Sequence, residues 1–196
     1  MKKYQSYIPE FENPYPSKPV KITYFRYDNA LILLRLIDKQ KVKFSSKKDS
    51  KYIVAANYTV TWFKSCEDTG TQITVPRGMI SDLTSVPKIF RPIIGRVGPW
   101  LEAVIVHDFL TIAWRTYDGK NSAMRRRFSD HIMWVAMNEA NVGWKKYLIY
   151  FAIRVWAFWE KNFLGYINID PKKQNDLYVD LDDPEVQEQL PTNLKI

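Results

Sequence analysis

Two histidines occur in the 196-residue sequence, and His107 is followed directly by an acid inside an apolar run, Val104-Ile105-Val106-His107-Asp108-Phe109-Leu110. On a helix His107 shares a face with Ala103, Leu110, Thr111 and Trp114, whereas Asp108 points about 100° away. A polar pair in such surroundings is costly unless each member finds a partner. Asp130 is the candidate partner for His107, because it precedes His131 in a second apolar stretch with Phe128, Ile132, Met133 and Trp134. If the two helices run antiparallel across the short 117–121 turn, the Asp130 carboxylate accepts from one ring nitrogen and fixes the tautomer. The other nitrogen is then left to take a proton from water. Asp108, on the adjacent face, is placed to bind a hard cation together with carbonyls and water. The set reads as a general base, an orienting acid and an electrophilic metal. The competing reading is a helix-anchoring hydrogen bond with no chemistry attached, and His131 reads as a half-buried helix residue.

A second polar cluster precedes these helices: Val75-Pro76-Arg77-Gly78-Met79-Ile80-Ser81-Asp82-Leu83-Thr84-Ser85-Val86-Pro87. Asp82 with Ser85 three positions later reads as a cap that turns strand into loop. The functional alternative adds Asp82 to the His107 and Asp108 site as a further acidic ligand. Ser85 as a nucleophile lacks the Gly-x-Ser-x-Gly elbow that would hold it.

The elements that must position these side chains are strands first and helices second, an α+β arrangement. Val54, Ala56, Tyr58, Val60 and Trp62 alternate as in a half-buried strand, and Glu67-Asp68-Thr69-Gly70 turns the chain into a hairpin partner at 72–75. Earlier strands are expected over 20–26, 30–37 and 40–44, with a loop at 47–50. Gly98-Pro99 opens a helix that runs to about Thr116. A second helix spans 122–141, with Asn121 or Ser122 as N-cap and Gly143 beyond its end, and a third, aromatic nearly all round, spans 144–163. The domain division expected is an extended arm over 1–19, one α+β domain over 20–165, and an acidic arm over 166–196.

At 46% apolar content the chain can bury a core, and a single cysteine, Cys66, excludes an internal disulfide and a Cys-rich zinc cluster. The proline-punctuated start is no secretory leader, and the 13-residue greasy stretch 147–159, interrupted by Arg154, is too short and too charged to span a bilayer. The formal charge of +8 is uneven. From Tyr166 onward seven acids face three bases, so the tail carries −4 and residues 1–165 carry +12. Such a field favours anionic partners: headgroups, nucleic acid or an acidic protein surface. Six of the seven tryptophans lie in the helical half, where they serve either as core or as a face resting on headgroups. The run Arg125-Arg126-Arg127 offers a nucleic-acid contact, but near a helix start it reads more readily as a solvated face.

The motif Val75-Pro76-x-Gly78-x-x-x-Asp82-Leu83-x-Ser85-Val86-Pro87, followed by the His107-Asp108 helix, then Asp130 and an aromatic third helix, resembles an uncharacterised protein family of tailed bacteriophages and prophages. The resemblance covers about residues 50 to 160. It implies a phage origin and supplies no function; from that origin and the two arms the expectation is a place in the virion or the infected-host cytoplasm, with other phage structural proteins as partners.

The helix pair alone is similar to that of secreted calcium-dependent phospholipases that cleave the sn-2 ester, minimal versions of which occur in some viral capsid proteins. That likeness implies His107 as base, Asp130 as its partner and Asp108 as calcium ligand. Thr111 stands where those enzymes carry tyrosine, their calcium loop is echoed only by Gly95-Arg96-Val97-Gly98, and their disulfides are missing. The expectation is therefore a virion-associated protein with a hydrolase-like site for a lipid or envelope ester. The alternative is a non-enzymatic particle component that binds neighbouring subunits through its arms.

Overall fold

β-Branched and aromatic residues crowd the first half of the chain and form its strands, and the helices follow. The computed structural model describes residues 12–35, 52–81, 83, 95, 98–115, 122–159, 162 and 177–188. The strand expected at 40–44, the 47–50 loop, Asp82 and Ser85 lie outside the described residues.

The strands are β1 (Tyr24–Tyr27), β2 (Leu33–Arg35), β3 (Tyr52–Val54), β4 (Tyr58–Phe63), β5 (Thr71–Val75) and β6 (Ile80–Ser81). They make two antiparallel sheets of three strands, ordered β1-β4-β5 and β2-β3-β6. The continuous strand expected from Val54 to Trp62 is thus broken. Ala55 to Asn57 interrupt the ladder, so Val54 pairs with Leu33 in one sheet and Tyr58 with Val75 in the other. Alternation misses this break because the small Ala55 and Ala56 preserve the apolar pattern across it. The β4–β5 hairpin follows the expected turn, and Gly70 there has φ +81, where a Cβ would collide with Thr61 and Phe63.

Helix α1 (Leu101–Asp108) continues as a π-helical stretch, Phe109–Trp114. Pro99 sits just ahead of the Trp100 N-cap rather than in the first turn, inside a bend closed by the Leu101 N–H donating to the Gly98 carbonyl at 2.9 Å. In α2 (Ala123–Glu139) the Ser122 hydroxyl caps the start by accepting from the Arg125 N–H. Asn141, not Gly143, takes the left-handed conformation that ends it, at φ 50, and the Val142 N–H returns to the Met137 carbonyl. Helix α3 (Lys145–Trp159) and a short α4 (Pro184–Gln187) complete the set.

The first sheet packs on α1 and α2, with Phe25, Val60, Trp62 and Ile73 meeting Phe109, Phe128 and Ile132 in one core. The Tyr27 hydroxyl stitches β1 to α2 by donating to the Ala136 carbonyl at 2.8 Å. A second, smaller core joins Leu34, Ile53, Ala55 and Ile80 to Val179, Leu181 and Val186.

Parts of both expected arms belong to this body. Tyr15 inserts its hydroxyl between α2 and the π-helical stretch, donating to the Leu110 carbonyl at 2.6 Å and lying 3.2 Å from Ser129 Oγ. At the other end, Tyr178 bridges Met79, and the Val179 N–H donates to the Gly78 carbonyl at 3.0 Å. The packed body therefore reaches beyond 20–165 at both ends, because Tyr15 and the apolar residues among the C-terminal acids have cores to join.

Candidate functional site

Helix α1 runs through the middle of the structure, and from Ala103 to Leu110 every residue is buried. His107 and Asp108 project from it toward different neighbours, as their angular separation requires. His107 Nε2 lies 3.0 Å from Asp130 Oδ1 on α2, the expected pairing across the two helices. The side chains are 3% and 1% exposed.

Asp130 has more partners than sequence reasoning gave it. Arg126, one turn earlier on α2, places Nε 3.3 Å from Oδ1, and Arg154 from α3 donates to Oδ2 at 3.0 Å. Burial pushes the Asp130 carboxyl up, but the His107 hydrogen bond and charge together with Arg126 and Arg154 outweigh it and hold the group below its ordinary value. An ionised carboxylate only accepts, so Nε2 carries the proton that binds it. Nδ1, the other ring nitrogen, is buried and has no hydrogen-bond partner among the described residues.

Among the described residues, Asp108 is drawn to a different partner. Its Oδ2 accepts from Ser81 Oγ at 2.6 Å, and the same hydroxyl accepts from the Leu83 N–H at 3.1 Å. The pair thus ties α1 to the end of β6, where Leu83 turns through φ 52. Thr111 Oγ1 donates to the His107 carbonyl at 2.7 Å, a back-bond of the kind that distorts helices, just where α1 widens into its π-helical stretch. The hydroxyl is therefore directed at the backbone of its own helix.

Among the described residues no group of three or more histidine, cysteine or acidic side chains is placed to hold a metal ion. Asp108 with Ser81 does not by itself make a calcium site, and Asp82, the further ligand considered, lies outside the described residues with Ser85.

Sequence reasoning missed Ser81, Arg126 and Arg154. Arg126 carried a readable signal, since it stands four residues before Asp130. Arg154 and Ser81 carried none in local spacing. Of the arginine run, Arg126 is drawn inward, with its side chain 12% exposed, and Arg125 lies over the Tyr15 ring at 4.7 Å. His131 is half-buried and lines a groove of about 270 Å³ with Pro16, Pro19, Val20, Met124, Arg127 and Phe128. Burial and nearby Lys21 push its pKa down.

Fold and cluster together define an α+β domain whose helices meet at a buried imidazole and carboxylate, with the partly exposed guanidinium of Arg154 reaching in from α3. Residues 58–153 match the model of a protein family of unknown function, DUF1353. The match runs from β4 into α3, contains Ser81, His107, Asp108, Arg126 and Asp130, and stops one residue short of Arg154. No curated protein and no solved structure matches the chain.

Proposed function

We propose that the chain is a structural component of a tailed-bacteriophage particle, in which the His107, Asp130 and Arg154 cluster clamps α1, α2 and α3 together rather than hydrolysing a substrate. The observation that carries the non-enzymatic reading is the enclosure of the imidazole, whose side chain is 3% exposed and whose Nδ1 is buried. A general base must meet water or substrate at the nitrogen that takes the proton. Here that nitrogen faces the packed interior. The carboxylate that would steady an imidazolium is already shared with two guanidinium groups. The phage assignment is supported by the Asp-Leu-x-Ser-Val-Pro motif followed by the His-Asp helix.

The second reading, a hydrolase acting on a lipid or envelope ester, is favoured by one observation. The 3.0 Å contact orients the ring as a carboxylate-held base is oriented, with Nδ1 uncommitted. A single experiment separates the two. Purified protein and the variant His107→Asn are incubated with a short-chain phospholipid, with calcium or with chelator, while melting temperature is followed. The structural reading expects no turnover above background and a lower melting temperature in the variant. Turnover in the wild type that the still-folded variant lacks would establish the hydrolase instead. For the particle assignment, mass spectrometry of purified virions should recover the chain, and recovery only from the soluble lysate would overturn it.

A further inference from the structure

The chain from Pro14 to Ile22 is anchored at both ends beside α2. Pro14 and Ile22 are buried, and the Tyr15 hydroxyl is held on the Leu110 carbonyl. Between these anchors Pro16, Pro19 and Val20 stand across from Met124, Arg127, Phe128 and His131, and the two sides line the groove of about 270 Å³. The four α2 residues follow the spacing of one helix face. Proline fixes the backbone of the opposite wall, so the groove is shaped before anything enters it. An apolar cavity of about 150 Å³ already holds benzene. The groove has room for one ring, or a short acyl chain, and a polar head.

Its polar side chains are cationic, and no acid lines it. Arg127 and His131 stand one turn apart on α2, and Lys21, next to Val20, lies near enough to push the His131 imidazole down. Among the described residues the side chains of Lys21, Arg127 and His131 make no hydrogen bond, ion pair or ring contact. Arg125, Arg126 and Arg154, by contrast, are engaged within the chain. A free guanidinium pairs in bidentate fashion with a carboxylate or phosphate, and an imidazole N–H adds a further donor. The apolar walls take up the body behind such a head. A nucleic-acid strand would need cations along its track and open ring faces for its bases, whereas Phe128 is 6% exposed.

We propose that this groove binds a small amphiphilic oxyanion, a carboxylate or phosphate monoester on one ring or a short acyl chain, with Arg127 and His131 at the head and the proline wall along the body. It uses none of the residues of the His107 and Asp130 cluster, so the inference rests on neither functional reading above.

The test titrates the full chain with phenylacetate, phenyl phosphate, the neutral phenylethanol and inorganic phosphate. Calorimetry gives affinity, and the ring signals of the two histidines are followed by NMR, with His131→Gln assigning them. Both phenyl anions are expected to bind a single site, and the neutral alcohol and bare phosphate at least about tenfold more weakly. A bound anion favours the imidazolium, so the pH midpoint of the His131 signal should move upward while that of His107 stays in place. Arg127→Gln should weaken binding at least about tenfold, and Lys21→Gln by less, both at unchanged melting temperature because both side chains are exposed. Absence of saturable binding, equal binding of the alcohol, unchanged affinity in Arg127→Gln or a stationary His131 signal would each overturn the proposal. So would tighter binding of a single-stranded oligonucleotide that Arg127→Gln abolishes, since the groove would then belong to nucleic acid.

Discussion

Asp130 is pulled in two directions. Enclosure favours its neutral form, and His107, Arg126 and Arg154 favour the charged one and prevail. A carboxyl lowered by folding stabilises the fold in full above its unfolded value of about 3.9, and that contribution is lost as pH falls through the lowered folded value. Asp130→Asn should therefore cost about 3 kcal/mol near neutral pH, since it leaves the arginines without their counter-charge. Urea unfolding measures this, and the gap between variant and wild type should close in strong acid; an equal gap in both conditions would show that packing, not charge, is at stake. At this scale the sequence disclosed the His107 and Asp130 pair because two apolar helices each held a polar residue that needed a partner. It hid Arg154, whose 24-residue separation from Asp130 becomes a contact only through the packing of α3 on α2. Ser81 is hidden likewise, since its bond to Asp108 joins a strand end to a helix 27 residues away.

Elements were most legible where local chemistry fixes an end. The Ser122 hydroxyl, the hairpin turn at Gly70 and the apolar helix around His107 all follow from residues close together in sequence. The two-sheet division does not, because the pairing of β3 with β2 and of β4 with β1 is a choice between long-range partners. The end of α2 offers a clean check. Asn141 at φ 50 tolerates the left-handed region through its short polar side chain, whereas a β-branched residue does not. Asn141→Val should lower stability by about 1–2 kcal/mol, and Asn141→Gly should be neutral or slightly stabilising. Thermal melts of the three proteins rank them, and a valine variant equal to wild type would contradict the terminating role of the conformation.

Across the whole molecule, the acidic stretch expected to reach for a neighbour is in part bound to its own domain. Residues 177–188 lie against the second sheet, held by the Met79 and Tyr178 bridge, by the Ile80 N–H donating to the Leu177 carbonyl at 2.8 Å, and by the small core around Val179 and Leu181. Arg77 and Asp182 meet at 2.6 Å on the surface, where an ion pair adds little. Gly78 is the critical residue. Its φ is +87, and a Cβ there would stand 2.1 Å from the Val179 carbonyl oxygen, on rigid backbone. Gly78→Ala should release the segment. Hydrogen exchange at the Ile80 and Val179 amides should accelerate while the α2 amides stay protected, and unaltered exchange at both would show the contact to be dispensable. The charge asymmetry of the chain was legible in composition; the docking of its acidic end in cis, through backbone bonds and an apolar core, was not, because composition carries no information about which copy a segment binds.

The same closure imposes an order of assembly on the ribosome. Residues 177–188 are synthesised roughly a hundred positions after β6, so at ~5–20 residues per second the underside of that sheet waits roughly five to twenty seconds for its cover. During that interval Leu34, Ile53 and Ile80 present bare hydrocarbon to the cell, and a nascent chain paused there is the form most exposed to chaperones, proteases and mispairing with its siblings on the same messenger.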